Sequence, residues 1–144
     1  MSQVYKTSRH LRFREADPAQ IMFFGNIFGI CHDAYEDFLT SLGIPWESYF
    51  KSSQFAVPVR KSDCEFFRPI YAGQDYEIEI KLTQLGESSF TVNFCFLSPL
   101  AEKLAEASSS HVFVNPQTLK KTPIPPNLRE KFKLFLQARP LESK

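Results

Sequence analysis

A change of hydrophobic period constrains this chain more than any other feature. Between positions 26 and 42 the apolar residues Ile27, Ile30, Cys31, Ala34, Tyr35, Phe38, Leu39 and Leu42 recur at three- and four-residue intervals. Within 75–82 and 90–96 they recur at every second position. The first spacing predicts one amphipathic helix of about four to five turns, with His32, Asp33, Glu36, Asp37 and Thr40 on its wet face. Asn26 is positioned to cap that helix and Gly43 to end it. Gly29, inside the run, costs about 1 kcal/mol of helix propensity, which points to another backbone or a ligand passing close.

The second spacing predicts strands. Tyr76, Ile78, Ile80 and Leu82 alternate with Asp75, Glu77, Glu79 and Lys81, and the pattern returns at Phe90, Val92, Phe94 and Phe96 after a turn at Gly86-Glu87-Ser88-Ser89. Further strands are predicted at 55–67 and 103–114, and 5–13 permits a first one. Pro58 cannot donate to a ladder, so the 55–67 strand should carry a bulge or lie at an edge. A short helical segment through Phe50 follows Ile44-Pro45-Trp46, and Leu128, Phe132, Phe135 and Leu136 suit a short terminal helix. The order is strand, long helix, then four strands antiparallel to one another. That order is α+β, a five-stranded antiparallel sheet curled round one helix, with an open edge that invites a second copy.

With 144 residues the chain suits a single domain, 1–144. Its 17 Lys+Arg against 16 Asp+Glu leave no footprint for a nucleic-acid backbone. Aromatics form 15% of the residues, more than an ordinary core uses, which suggests an aromatic-lined cleft or a buried interface as well. Cys31, Cys64 and Cys95 are odd in number and far apart in apolar stretches, the usage of reduced, buried thiols in a cytoplasmic protein. No apolar run approaches membrane-spanning length, and no leader-like run follows the first charges.

Several chemistries can be set aside. The chain has no Gly-x-Ser-x-Gly elbow, no Gly-rich phosphate loop and no Cys-x-x-Cys pair. His10, His32 and His111 lack metal-ligand spacing, so no metal or cofactor is expected. His32 and His111 fit solvated or interface histidines better than a catalytic base. Asp17 differs, because it precedes a proline in a loop just upstream of the long helix, where unpaired N–H groups and the helix dipole converge. On residues alone two roles stand for it: an ordinary Asp-Pro turn, or a carboxylate serving a reaction that develops negative charge.

Asp17-Pro18-Ala19, with Ile21-Met22-Phe23-Phe24 and Asn26 after it, resembles the active-site segment of hotdog-fold acyl-CoA thioesterases of the 4-hydroxybenzoyl-CoA thioesterase type. Cys31-His32-Asp33-Ala34-Tyr35-Glu36 and Phe55-Ala56-Val57-Pro58-Val59 look like the branch that hydrolyses 1,4-dihydroxy-2-naphthoyl-CoA. So do Phe66-Phe67-Arg68-Pro69 before Gly73 and Lys120-Lys121-Thr122-Pro123-Ile124-Pro125. Two departures stand out: Gln20 where the family usually has glycine, and Gln74 where an acidic residue usually follows the glycine.

The resemblance implies an acyl-CoA substrate and a site between two subunits of a homodimer, with a dimer of dimers as the larger assembly. Asp17 would be the nucleophile or general base, and the backbone N–H of Phe24, helped by Gly25, would receive the carbonyl charge. Phe23, Phe55, Val57 and Pro58 would form the acyl slot. Arg60, Lys120 and Lys121 would meet the CoA phosphates, and Gln54, Ser62 and Asp63 of the partner would position water. An aromatic acyl group leads; a short or medium aliphatic chain, or a hotdog protein binding acyl-CoA or acyl carrier protein without hydrolysis, is the alternative.

Overall fold

The computed structural model describes residues 2–137. It contains β1 (Tyr5–His10), α1 (Asn26–Ser41), α2 (Trp46–Phe50), β2 (Val59–Phe66), β3 (Asp75–Leu85), β4 (Ser89–Leu97), β5 (Lys103–Val112) and α3 (Pro126–Lys133). The strands form one antiparallel sheet in the order β1-β3-β4-β5-β2. The α+β class and the five-stranded antiparallel sheet expected from the sequence are therefore present. Strands consecutive in sequence are not all neighbours in space, however. β2 pairs with β5 at the far edge, so the 67–74 connection carries the chain across to β3.

Three element bounds differ from the sequence expectation, each for a local reason. The first strand stops at His10 because the Glu15 side chain accepts the Arg12 N–H at 2.9 Å and Glu15 N–H bonds Arg12 O, curling Phe13–Glu15 into a 3-10 turn. The strand expected at 55–67 begins only after Pro58, and its register shifts between Val59 and Lys61. The shift and the edge position both agree with a proline beside the strand, which has no donor for a ladder. The last strand ends at Val112, and Val114 pairs separately with Ala56 and Lys121.

The core follows the two periods. Ile27, Ile30, Cys31, Ala34, Tyr35, Phe38 and Leu39 of α1 belong to the same buried cluster as Ile78, Ile80 and Leu82 of β3 and Phe90, Val92, Phe94 and Phe96 of β4. Phe38 is fully buried, its ring centroid 5.7 Å from Tyr5 and 4.9 Å from Phe135 just beyond α3. Truncation of such a side chain to alanine costs about 3–5 kcal/mol.

At the end of α1, Gly43 takes φ +75° and donates to Thr40 O, while Ile44 N–H reaches back to Leu39 O. Both bonds satisfy carbonyls that the helix leaves open, and the left-handed residue is the expected glycine. Lys131 adds a bond from Nζ to Leu42 O at 2.7 Å. Two expectations for α1 are corrected. Gly25, in helical conformation, is the N-cap residue and no side chain caps the helix; Asn26 instead donates from Nδ2 to Glu15 O at 2.8 Å. A Cβ at Gly29 would meet nothing within 4 Å among the described residues, so no backbone of this chain's described residues passes close there.

Candidate active site

Asp17 sits at the first corner of a three-residue loop. Its N–H donates to Ile21 O at 2.8 Å and its C=O accepts the Gln20 N–H at 2.8 Å, enclosing Pro18-Ala19-Gln20. Asp at the first position and Pro at the second are the residues a type I turn prefers, and the third loop residue then falls in the left-handed region. Gln20 does so, with φ 65°, although it lacks glycine's freedom there. Gln20 O is tied to the Ala72 N–H at 2.8 Å, and Met22 N–H bonds Ile70 O at 2.7 Å. The 67–74 connection thereby holds the loop against the start of α1. Gln74 turns that connection by accepting the Tyr71 N–H on its side-chain oxygen at 3.0 Å, a bond that an acidic side chain could also accept.

Within the loop, Asp17 Oδ1 accepts the Ala19 N–H at 2.8 Å. Oδ2 has no partner among the described residues, and the side chain is only half-buried. The turn role expected of an Asp-Pro pair is therefore real, and it leaves one carboxylate oxygen free.

The helix start offers the complementary group. Among the described residues the backbone N–H groups of Phe24 and Gly25 meet no acceptor, which is how an uncapped helix leaves its first donors. The Phe23 ring lies 2.9 Å from where a Cβ on Gly25 would stand, so position 25 has no room for a side chain unless that ring moves. Asp17 and Phe24 border the same open cleft of about 430 Å³, together with Phe66, Phe67, Arg68 and Pro69. Phe66, Phe67 and Arg68 were not among the expected site residues, though they stand in a motif the sequence displays. Arg68 is the cleft's cation, its guanidinium 3.9 Å from Glu102 in a loose, exposed pair. A larger cavity, about 760 Å³ along β1 and β3, contains neither Asp17 nor Phe24.

Apart from Phe23, the other expected site residues are not gathered around Asp17 in this chain. Phe23 is exposed, its ring 4.9 Å from that of Phe24. Phe55 is buried against Phe113, with centroids 5.0 Å apart, and belongs to the core. Val57 is half-buried, and Pro58, Arg60, Lys120 and Lys121 are exposed. Gln54 is exposed; Asp63 accepts a bond from Ser108, and Ser62 borders a second cavity.

That second cavity, about 230 Å³, lies between α1 and the inner ends of β2 and β5. His111 forms part of it and is only 1% exposed, a correction to its expected solvated or interface position. Its burial follows from β5 alternation, which turns Ala105, Ala107, Ser109 and His111 inward. The ring stacks between Tyr35 and Phe90, with centroids at 4.6 and 4.9 Å. Burial, with repulsion from His32, pushes its pKa down to about 4, so it is neutral near pH 7. His32 itself is exposed on α1, 3.3 Å from Glu36. The cysteines are free, Cys31 is buried, and burial raises its thiol pKa away from thiolate chemistry.

The family model described as Thioesterase-like superfamily matches residues 11–132. A 1,4-dihydroxy-2-naphthoyl-CoA hydrolase from Rippkaea orientalis is 32% identical over 125 residues, covering 85% of this chain and 91% of that one. Another from Synechococcus elongatus is 32% identical over 127 residues, covering 88% and 93%. The crystal structure of a 1,4-dihydroxy-2-naphthoyl-CoA thioesterase from Synechocystis matches with a TM-score of 0.85 at 23% identity, covering 91% of this chain and 96% of that one. The sheet and helices described above are thus of the hotdog-like thioesterase type.

Proposed function

The chain belongs to the thioesterase-like superfamily, and from that membership we propose that it hydrolyses the thioester of an aromatic acyl-CoA of the 1,4-dihydroxy-2-naphthoyl or hydroxybenzoyl kind. The observation that carries the reading is the common cleft of Asp17 and Phe24, which sets a free carboxylate oxygen near unengaged helix-start amides. The thioester carbonyl accepts the Phe24 N–H, with Gly25 N–H as second donor. As the carbon becomes tetrahedral its oxygen gains charge, and a preorganised donor of this kind lowers the barrier by about 3–4 kcal/mol.

Asp17 Oδ2 then acts by one of two routes. As a base it takes a proton from water, the hydroxide adds to the carbonyl carbon, and the C–S bond breaks to release the CoA thiolate, which is protonated to the thiol. As a nucleophile it forms a mixed anhydride with loss of the thiolate, and water cleaves that anhydride to the free acid. Both routes yield one carboxylic acid and one thiol. Single turnover in 18O-labelled water distinguishes them, since the anhydride route can leave label in Asp17.

In this reading α1 is the central helix around which the sheet closes, residues 1–144 form one domain, and the active unit is a homodimer. Support for the dimer comes from β2, an edge strand that is exposed along nearly its whole length. Its sequence runs from Arg60-Lys61 to Asp63 and Glu65, so an antiparallel second copy meets opposite charge at both ends. Such a partner would also bring its own 55–60 segment and Lys120-Lys121 to bear on the cleft. Among the described residues no helix is long and apolar enough to cross a membrane. The test is thiol release across a panel of thioesters: the aromatic acyl-CoAs should be cleaved with higher kcat/KM than short or medium aliphatic ones, and no release from any of them would end the reading.

A further inference from the structure

Between Glu15 and Phe23 the chain forms a small hairpin with Asp17 at its loop. Ala16 pairs with Met22 across it, and at its open end Phe23 N–H bonds Glu15 O at 3.0 Å. The chain then passes from Phe23 through Phe24 and Gly25 into α1. One arm of the hairpin therefore carries Asp17, and the other leads to the unengaged amides. The backbone bonds at that joint are local: Asn26 N–H to Phe23 O at 2.9 Å and Ile27 N–H to Phe24 O at 3.3 Å. Neither ties the helix to the Asp17 arm.

The Asn26 side chain does. Its Nδ2 donates to Glu15 O at 2.8 Å in a half-buried position, so that one carbonyl accepts a donor from the hairpin and another from the first turn of α1. An asparagine at a helix start ordinarily turns its side-chain oxygen onto nearby amides of its own helix. Asn26 points its donor outward instead, and the Phe24 and Gly25 N–H groups that the bond spans keep no acceptor among the described residues.

We propose that Asn26 is a positioning residue: its bond to Glu15 O fixes the Asp17 arm against the start of α1 and so sets the carboxylate and the Phe24 and Gly25 amides at one spacing. The assignment rests on the hydrolase reading above, in which those groups act on the same carbonyl. A displacement of about 1 Å between reacting groups can cost about 10²-fold in rate, so such a strap acts on turnover more than on uptake of substrate. Asn26→Asp keeps the shape, removes the donor and retains the helix, because a carboxylate in the first turn suits the dipole. Asn26→Ala removes shape and donor alike and is the better helix former.

The experiment measures thiol release from 1,4-dihydroxy-2-naphthoyl-CoA by Asn26→Asp, Asn26→Ala, and Asn26→Ala combined with Asp17→Asn. Each single variant should lower kcat about 10–100-fold with KM within about threefold of the parent. In the Asp17→Asn background no carboxylate remains to be aligned, and Asn26→Ala should cost no more than about threefold. Losses that combine in full across the two positions, or a kcat close to the parent in either single variant, overturn the assignment.

A second readout does not need turnover. In 15N-labelled protein the Phe24 and Gly25 amide resonances are followed through an acid titration. The part of their shift that Asp17→Asn abolishes reports the field of the Asp17 carboxylate at those amides, which depends on distance. Asn26→Ala should shrink or reverse that part. A variant with the parent's response, or a parent in which Asp17→Asn abolishes nothing, overturns the assignment. If the parent releases no thiol from any acyl-CoA, the hydrolase reading fails by itself, and this titration alone decides whether Asn26 sets the spacing.

Discussion

Asp17 Oδ1 accepts the Ala19 N–H at 2.8 Å, while the other carboxylate oxygen has no partner among the described residues. The residue therefore has a structural half and a chemical half, and substitution can separate them. Asparagine keeps the oxygen that closes the turn; alanine does not. Asp17→Asn should unfold in urea close to the parent, whereas Asp17→Ala should lose about 1 kcal/mol, the net worth of one such bond. Equal, large losses in both would mean that the loop depends on the charge.

Gln20 occupies a left-handed position (φ 65°) that glycine fills without strain. Its backbone bonds to Asp17 and Ala72 do not need its side chain. Gln20→Gly should therefore raise stability by about 0.5–1 kcal/mol, the relief of strain exceeding the extra entropy of the unfolded chain. A loss of stability in chemical denaturation would show that the Gln20 side chain contributes something its backbone does not.

His111 gives the fold a pH dependence. Burial, reinforced by His32, lowers its pKa to about 4 from the ordinary 6.5. Between those values the unfolded chain binds a proton that the folded chain refuses. Stability therefore rises with pH across that window and is lost as pH falls from 6.5 to 4, by up to about 3 kcal/mol. In His111→Phe that part of the slope should vanish, as thermal unfolding at pH 4.5 and pH 7 would measure.

How far the sequence revealed this molecule depended on whether a feature was written as a period. Tyr76 to Leu82 and Phe90 to Phe96 alternate cleanly, and these residues do face the core. His111 was legible to no such rule, because its inward-facing neighbours Ala105, Ala107 and Ser109 are small or polar. Only the pairing of Phe90 with His111 and Phe94 with Ala107 across β4 and β5 reveals which side they occupy. The start of α1 was one residue off because no side chain caps it, and Asn26 is used instead to bond Glu15. Asp17 could be singled out in sequence, whereas Phe66 at the end of β2 and Phe67 and Arg68 after it are brought to its cleft by a tertiary crossing, so their motif is visible in the sequence but their place beside Asp17 is not.

The charge order of β2 makes the proposed dimer testable without disturbing the core. Arg60→Glu with Lys61→Glu leaves four acidic residues along an exposed edge and should weaken self-association. Adding Asp63→Lys and Glu65→Lys to the same chain restores an antiparallel match and should recover it. Light scattering at low salt would follow the change; a mass unaffected by either set would exclude β2 as the interface.

The central claim is that Asp17 supplies the chemistry while the start of α1 receives the charge. The most direct measurement is thiol release from 1,4-dihydroxy-2-naphthoyl-CoA by Asp17→Asn, in protein whose unfolding transition matches the parent. A fall in kcat of about 10²–10⁴-fold, the usual contribution of a positioned acid or base, is the result expected. Turnover within a few-fold of the parent would contradict the account.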